Sequence, residues 1–184
     1  IRWKKRPFSA RERIIMIRFA VITLSDKGFL GEREDTAGPT ARTLLEEKLA
    51  ATCCETLLLP DDQPRIEAAL RRIADESACD LIVTTGGTGL SPRDRTPEAT
   101  HAVIDRNVPG MAEAMRAGGL AKTPSAMLSR GICGIRGRTL IINFGGSPNA
   151  VREQLSVILP ALPHAIETLR GEGGDCARPS EAGR

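Results

Sequence analysis

Residues 80–85 read DLIVTT and run without a break into Gly86-Gly87-Thr88-Gly89, and no other stretch of the chain leaves fewer folds open. A strand with apolar residues at successive positions has no polar face. It must be covered on both sides, as a central parallel strand between helices is. The glycines that follow permit positive φ and let another molecule approach the backbone, while the threonines add hydroxyls. The chain should alternate strands with helices and bind something where this strand ends.

The rest of the sequence keeps that alternation. Residues 18–25 (RFAVITLS) make a first apolar run. A helix is expected from about Pro39, a residue suited to a first turn, with Leu44, Leu45 and Leu49 at helical spacing. Residues 55–59 (ETLLL), stopped by Pro60, predict a second strand, and 64–77 a helix with Ile66, Leu70 and Ile73 on one face. Helices are predicted over 96–105 and from about 109 to 117. A strand at 139–144 (TLIINF) is expected to pair with 131–135, and 148–169 supplies one or two helices interrupted by Pro160 and Pro163. The fold class is α/β, with a mostly parallel sheet and helices on both faces.

At 184 residues, 41% of them hydrophobic, the chain suits one domain, and we expect it at 17–171. Residues 1–16 read as a basic tail and 172–184 as a disordered glycine-bearing one. Net charge is only +3, from 26 basic and 23 acidic residues, and much of the excess sits in Arg2, Lys4, Lys5 and Arg6. A near-neutral body gives no field that would attract nucleic acid. No apolar run reaches the roughly 20 residues of a membrane helix, so no membrane association and cytoplasmic residence are expected. The five cysteines show no C-x-x-C pair and read as reduced thiols. Adjacent Cys53 and Cys54 should point to opposite faces of a strand, which argues against a bridge between them.

In open α/β sheets ligands bind beyond the carboxyl ends of the strands, here the loops leaving Ser25, Leu59, Thr85 and Phe144. The Thr85-Gly86-Gly87-Thr88-Gly89 loop is neither a P-loop nor a dinucleotide fingerprint, and is expected to cradle phosphate. Asp94 lies between Arg93 and Arg95, ahead of a helix start with Thr96 as cap and Pro97 in its first turn. Asp62 suits a helix cap, and Asp61, at the tip of ETLLL, can point into the crevice. Two carboxylates from separate strand tips meet the needs of nucleotidyl transfer, because magnesium keeps much of its own water and takes one or two protein carboxylates. The first loop adds Ser25 and Asp26. The last adds Asn143, Gly145, Gly146, Ser147, Pro148 and Asn149, of which Ser147 and Pro148 also read as a helix start, and the others as a turn with donors for a polar heterocycle. His101 and His164 have no visible acid-base partner, and Met111 and Met115 read as core.

In order along the chain, SDKG (25–28), PDD (60–62), TTGGTG (84–89), RDRTPEAT (93–100), PGMAEAMR (109–116), MLSRG (127–131) and IINFGGSPNA (141–150) resemble the molybdopterin adenylyltransferase family, which includes the gephyrin-type G domains. The resemblance runs from about residue 17 to 171. It implies a three-layer α/β fold, a homotrimer, and attack by the terminal phosphate of molybdopterin on the α-phosphate of ATP with Mg2+, giving adenylylated molybdopterin and pyrophosphate. A molybdenum insertase would receive the product. The family's two essential aspartates fall on Asp61 and Asp94, which would also hold the metal. The GGTG loop would bind the pterin phosphate or the nucleotide phosphates, with Ser25, Asp26 and Ser129 lining the same pocket. One departure lies in the last loop: where the family has Pro-Gly, this sequence has Gly145-Gly146, which predicts a looser turn. Two other classes share the motifs, a binding-only relative and a trimeric scaffold module.

Overall fold

The computed structural model describes residues 16–172, and both expected tails fall outside them except at Met16 and Glu172. Six strands lie in the order β2-β1-β3-β6-β5-β4. β1 (Arg18–Leu24), β2 (Thr52–Leu59), β3 (Leu81–Thr85) and β6 (Thr139–Phe144) are parallel, while β5 (Cys133–Arg136) and the two-residue β4 (Arg106–Asn107) add an antiparallel edge.

Strand parity builds two cores. Phe19 and Val21 of β1, Leu81 and Val83 of β3, and Leu140 and Ile142 of β6 face α2 (Ala37–Leu49), α5 (Pro109–Leu120), α6 (Pro148–Ile158) and α7 (Leu162–Arg170). Their neighbours Ala20, Ile22, Ile82 and Ile141 face α3 (Gln63–Glu76) and α4 (Thr96–His101). A period of two on a strand covered on both faces gives this result, and it is the three-layer α/β arrangement. On α3, Ile66, Leu70 and Ile73 form a fully buried stripe. Each such side chain contributes about 1.5–3 kcal/mol by leaving water, so Leu70→Ala would loosen this layer most directly.

Element bounds depart from the expected ones where local chemistry intervenes. α2 starts two residues before Pro39, because Asp35 Oδ1 accepts from the N–H groups of both Ala37 and Gly38 at 3.0 Å. α4 stops at His101 rather than continuing to 105, since the chain must turn for Asp105 N–H to donate to Ile135 O at 2.7 Å, beside β4. Among the described residues no helix is long and apolar enough to cross a membrane.

Candidate active site

Four parallel strands release their loops at one end of the sheet, around a hollow of about 810 Å3. After β1, Ser25 caps the short α1 (Asp26–Phe29) by accepting from Gly28 N–H at 3.1 Å, and Arg33 Nη2 donates to the same Oγ at 3.1 Å. After β2, Asp62 caps α3 through Arg65 N–H at 3.0 Å, which leaves Asp61 turned to the hollow as the sequence predicted. Asp26 and Asp61 grip each other's backbone: Asp61 N–H donates to Asp26 Oδ1 at 3.0 Å, and Asp26 N–H to Asp61 Oδ2 at 3.3 Å.

After β3, Gly86 and Gly87 adopt φ of 96° and 60°. A Cβ on Gly87 would collide with Thr96 Oγ1 and stand 2.7 Å from Asp61 Oδ1, and one on Gly89 would stand 2.8 Å from Asp94 Oδ2. Glycine is therefore required both by the turn and by the carboxylates against it. Asp94 Oδ2 accepts from Ser91 N–H at 3.0 Å. Thr96 proves not to be the cap of α4. Arg95 holds that position, and the buried Thr96 hydroxyl donates instead to Gly86 O at 2.9 Å, tying the helix to the glycine turn.

The charges are unequal. Arg93 donates to both oxygens of Asp26 at 2.9 Å, and these bonds, helped by Asp61 N–H, hold the Asp26 carboxyl below the usual aspartate value. Burial pushes Asp61 up. The charges of Asp26 and Asp94 push it further, against the hydrogen bond from Asp26 N–H and the Arg93 charge. Asp61 Oδ1 is buried and accepts from no group. A buried acceptor left bare costs on the order of 1–3 kcal/mol.

Of the predicted binding residues, Ser25, Asp26, Thr85, Gly86, Gly87, Thr88, Gly89, Gly146, Ser147 and Pro148 line this hollow together with Asp61 and Asp94. Three others lie elsewhere. Ser129 lines a neighbouring hollow of about 280 Å3 that meets the first only at Thr88 and Gly89, since Ser129 follows the 3-10 turn Pro124–Leu128 on the far side of the glycine loop. Asn143 is sealed inside the fold: parity places it on the α4 side of β6, where Nδ2 donates to Thr84 and Thr100 Oγ1 at 3.0 and 2.9 Å. Asn149 is exposed on α6, its Oδ1 accepting from Arg152 Nη1 at 3.2 Å.

Sequence reasoning passed over three residues. In the sequence Arg93 is only a neighbour of Asp94, yet in the structure it spans from the third loop to the first. Arg130 donates to Gly89 O at 2.7 Å, to Asp94 O at 2.8 Å and to Glu98, so one guanidinium fixes the glycine loop against the start of α4. Gln154 Oε1 accepts from Gly145 N–H at 2.8 Å, which steadies the turn expected to be loose. Their side chains reach across loops, and no local motif signals such a span.

The family described as "Probable molybdopterin binding domain" matches residues 20–164. Molybdopterin adenylyltransferase of Helicobacter pylori (strain J99) is 40% identical over 156 residues, 84% of this chain and 89% of that protein. Molybdenum cofactor synthesis protein cinnamon of Drosophila melanogaster is also 40% identical, over 83% of this chain, which spans only 26% of that longer relative. Among solved structures, the molybdopterin biosynthesis enzyme MoaB from Thermus thermophilus superposes with a TM-score of 0.80 at 52% identity, covering 85% of this chain and 98% of that one. With sequence, fold and the order of its loop motifs in agreement, this chain belongs to the molybdopterin binding domain family.

Proposed function

We propose that the hollow transfers an adenylyl group from ATP to molybdopterin. A terminal phosphate oxygen of molybdopterin bonds to the α-phosphorus of ATP, the bond from that phosphorus to the bridging oxygen breaks, and pyrophosphate departs. The observation that carries this reading is the bare, buried Asp61 Oδ1 beside Asp26 and Asp94, against a glycine turn at the strand ends. The name shared by relatives 37–40% identical to this chain supports the same reaction.

The residues fit a magnesium ion. An oxygen without a donor, in a polar hollow with further carboxylates, suits a hard cation that takes only one or two of them. No cluster of three or more His, Cys, Asp or Glu arranged for a metal exists among the described residues, and magnesium needs none. Asp61 and Asp94 would hold the ion, which when bound supplies positive charge against the phosphate oxygens. Lys27, Arg33 and Arg93 line the hollow as further cations for a triphosphate. Gly87 and Gly89 let Asp61 and Asp94 pack directly against the glycine turn, which brings the carboxylates that would hold the ion up to the loop that would take the phosphates. The second hollow, with Leu128, Ala126 and Ala150 among its walls, gives room for a flat heterocycle next to the phosphates. Exposed Leu120, Met127, Leu128 and Val157 support a homotrimer, in which copies would cover them. Delivery of the product to a molybdenum insertase and cytoplasmic residence complete the reading.

The test is release of pyrophosphate from ATP in the presence of molybdopterin, with and without Mg2+. Wild type should release it only with both present, and Asp94→Ala should lose on the order of 10³-fold in turnover while still binding the pterin. Equal traces for the two proteins would remove the role given to Asp94, and wild-type binding of both substrates without turnover would replace transfer with binding alone.

A further inference from the structure

Two backbone irregularities converge at the opposite end of the sheet. β2 pairs with β1 as Phe19↔Cys53 and then Ala20↔Glu55, so Cys54 is the extra residue of a β-bulge. A bulge takes its residue out of the ladder and re-aims the side chain. On the other side of β1, Ala78 at φ 46° turns the chain into β3 and delivers Cys79. β2 and β3 are separated by β1, which would ordinarily hold their residues about 9–10 Å apart. Here the side chains reach across the end of β1 and the two sulfurs are 3.7 Å apart. The Cys54 thiol also donates to Phe19 O at 3.1 Å, and the Cys79 thiol to Leu81 O at 3.1 Å.

The pair is asymmetric. Cys54 is an exposed residue and Cys79 a buried one, so a soluble oxidant reaches Cys54 first. The other described thiols do not compete: Cys53 packs against the opposite core, where parity sends it, and Cys133 is buried in that core. A metal would need further ligands, and none is grouped with the two sulfurs among the described residues.

We propose that Cys54 and Cys79 are a reversible disulfide site, oxidised by a small-molecule disulfide of the glutathione class. The Cys54 thiolate attacks one sulfur of the oxidant, forming a mixed disulfide and releasing one thiol. Cys79 then gives its proton to solvent as its sulfur bonds to Cys54 Sγ, and the S–S bond to the second small thiol breaks. The protein loses two electrons and two protons, and the oxidant is reduced to two thiols. Burial keeps Cys79 protonated, which sets the order: exposed Cys54 attacks and Cys79 resolves. The closed bond ties edge strand β2 to the turn after α3, far from the hollow.

The full chain is incubated with oxidised glutathione, the remaining thiols are blocked, and the peptides are mapped by mass. The expected product is a linked peptide joining Cys54 to Cys79, an intact chain lighter by two hydrogens, reversal by dithiothreitol, and a melting temperature raised by about 5 °C or more. Cys79→Ser and Cys79→Ala, the latter avoiding a buried hydroxyl, should each keep glutathione on Cys54. Cys54→Ser should take up none at Cys79. A mixed disulfide on wild-type Cys54 that never resolves, a link through Cys53 or Cys176 instead, or no oxidation at all would overturn the proposal.

Discussion

Asp61 and Asp80 are aspartates at opposite ends of the same sheet, and they are treated in opposite ways. Asp80, just ahead of β3, accepts from Arg18 N–H at 2.8 Å and from Arg170 Nε and Nη2 at 2.8 and 2.6 Å. Its side chain is 13% exposed and fully partnered. Asp61, just after β2, keeps one buried oxygen bare and sits among like charges. A carboxylate that only stabilises is given donors, whereas Asp61, which we propose takes a ligand, is left short of them. The fold pays for the second with the strength of the first.

The largest test of that contrast changes each aspartate to its amide. Asp61→Asn should cut adenylyl transfer on the order of 10³-fold without loss of folding stability. Asp80→Asn should leave turnover within about 2-fold but cost about 2 kcal/mol, because Arg170 loses its partner in a partly exposed setting. Rate assays beside urea melts read both, and equal rate losses would erase the distinction between the two ends.

A smaller effect follows from the acid shift. The folded state raises Asp61 above its ordinary value of 3.8, so its contribution is favourable at low pH and is lost as pH rises from there through the raised value. The amide never ionises. Asp61→Asn should therefore be more stable than wild type at pH 7, and the gain should vanish below about 3.8. A pH series of urea midpoints checks the sign, and a gain that grew in acid would refute it. Asp26 is shifted the other way, its ion pair favouring the folded state above its ordinary value and failing as pH drops through the lowered one.

The smallest expected effect belongs to Arg93. Its side chain is 65% exposed, so Arg93→Ala should change stability by less than about 1 kcal/mol. The Asp26 carboxyl should nonetheless move back up toward 3.8, readable by NMR titration of its side chain. An unmoved Asp26 would mean that Asp61 N–H alone holds it down.

The sheet and its site were legible to different depths. Consecutive apolar residues at 81–83, fully buried, announced a central strand, and strand tips then located Asp61, Asp94 and the glycine loop. Parity alone, counted from Ile141 and Ile142 into the two cores, would have turned Asn143 inward, although polarity drew it to the site. The same counting held for Cys53 but could not place Cys54 beside Cys79, because a bulge interrupts the period of two. Arg130 and Gln154 were illegible for another reason. Gln154 and two of the three contacts of Arg130 reach backbone atoms on other loops, and backbone atoms leave no mark in a sequence.

A proline at the last turn would stiffen it with a ring that no partner can undo. Gly145 leaves that stiffness to one N–H and the Gln154 side chain, which also borders the smaller hollow. Rigidity held by a single exchangeable contact can be released and remade by whatever competes for the amide. A guest that entered beside Gln154 and competed for that amide would therefore loosen the turn as it bound.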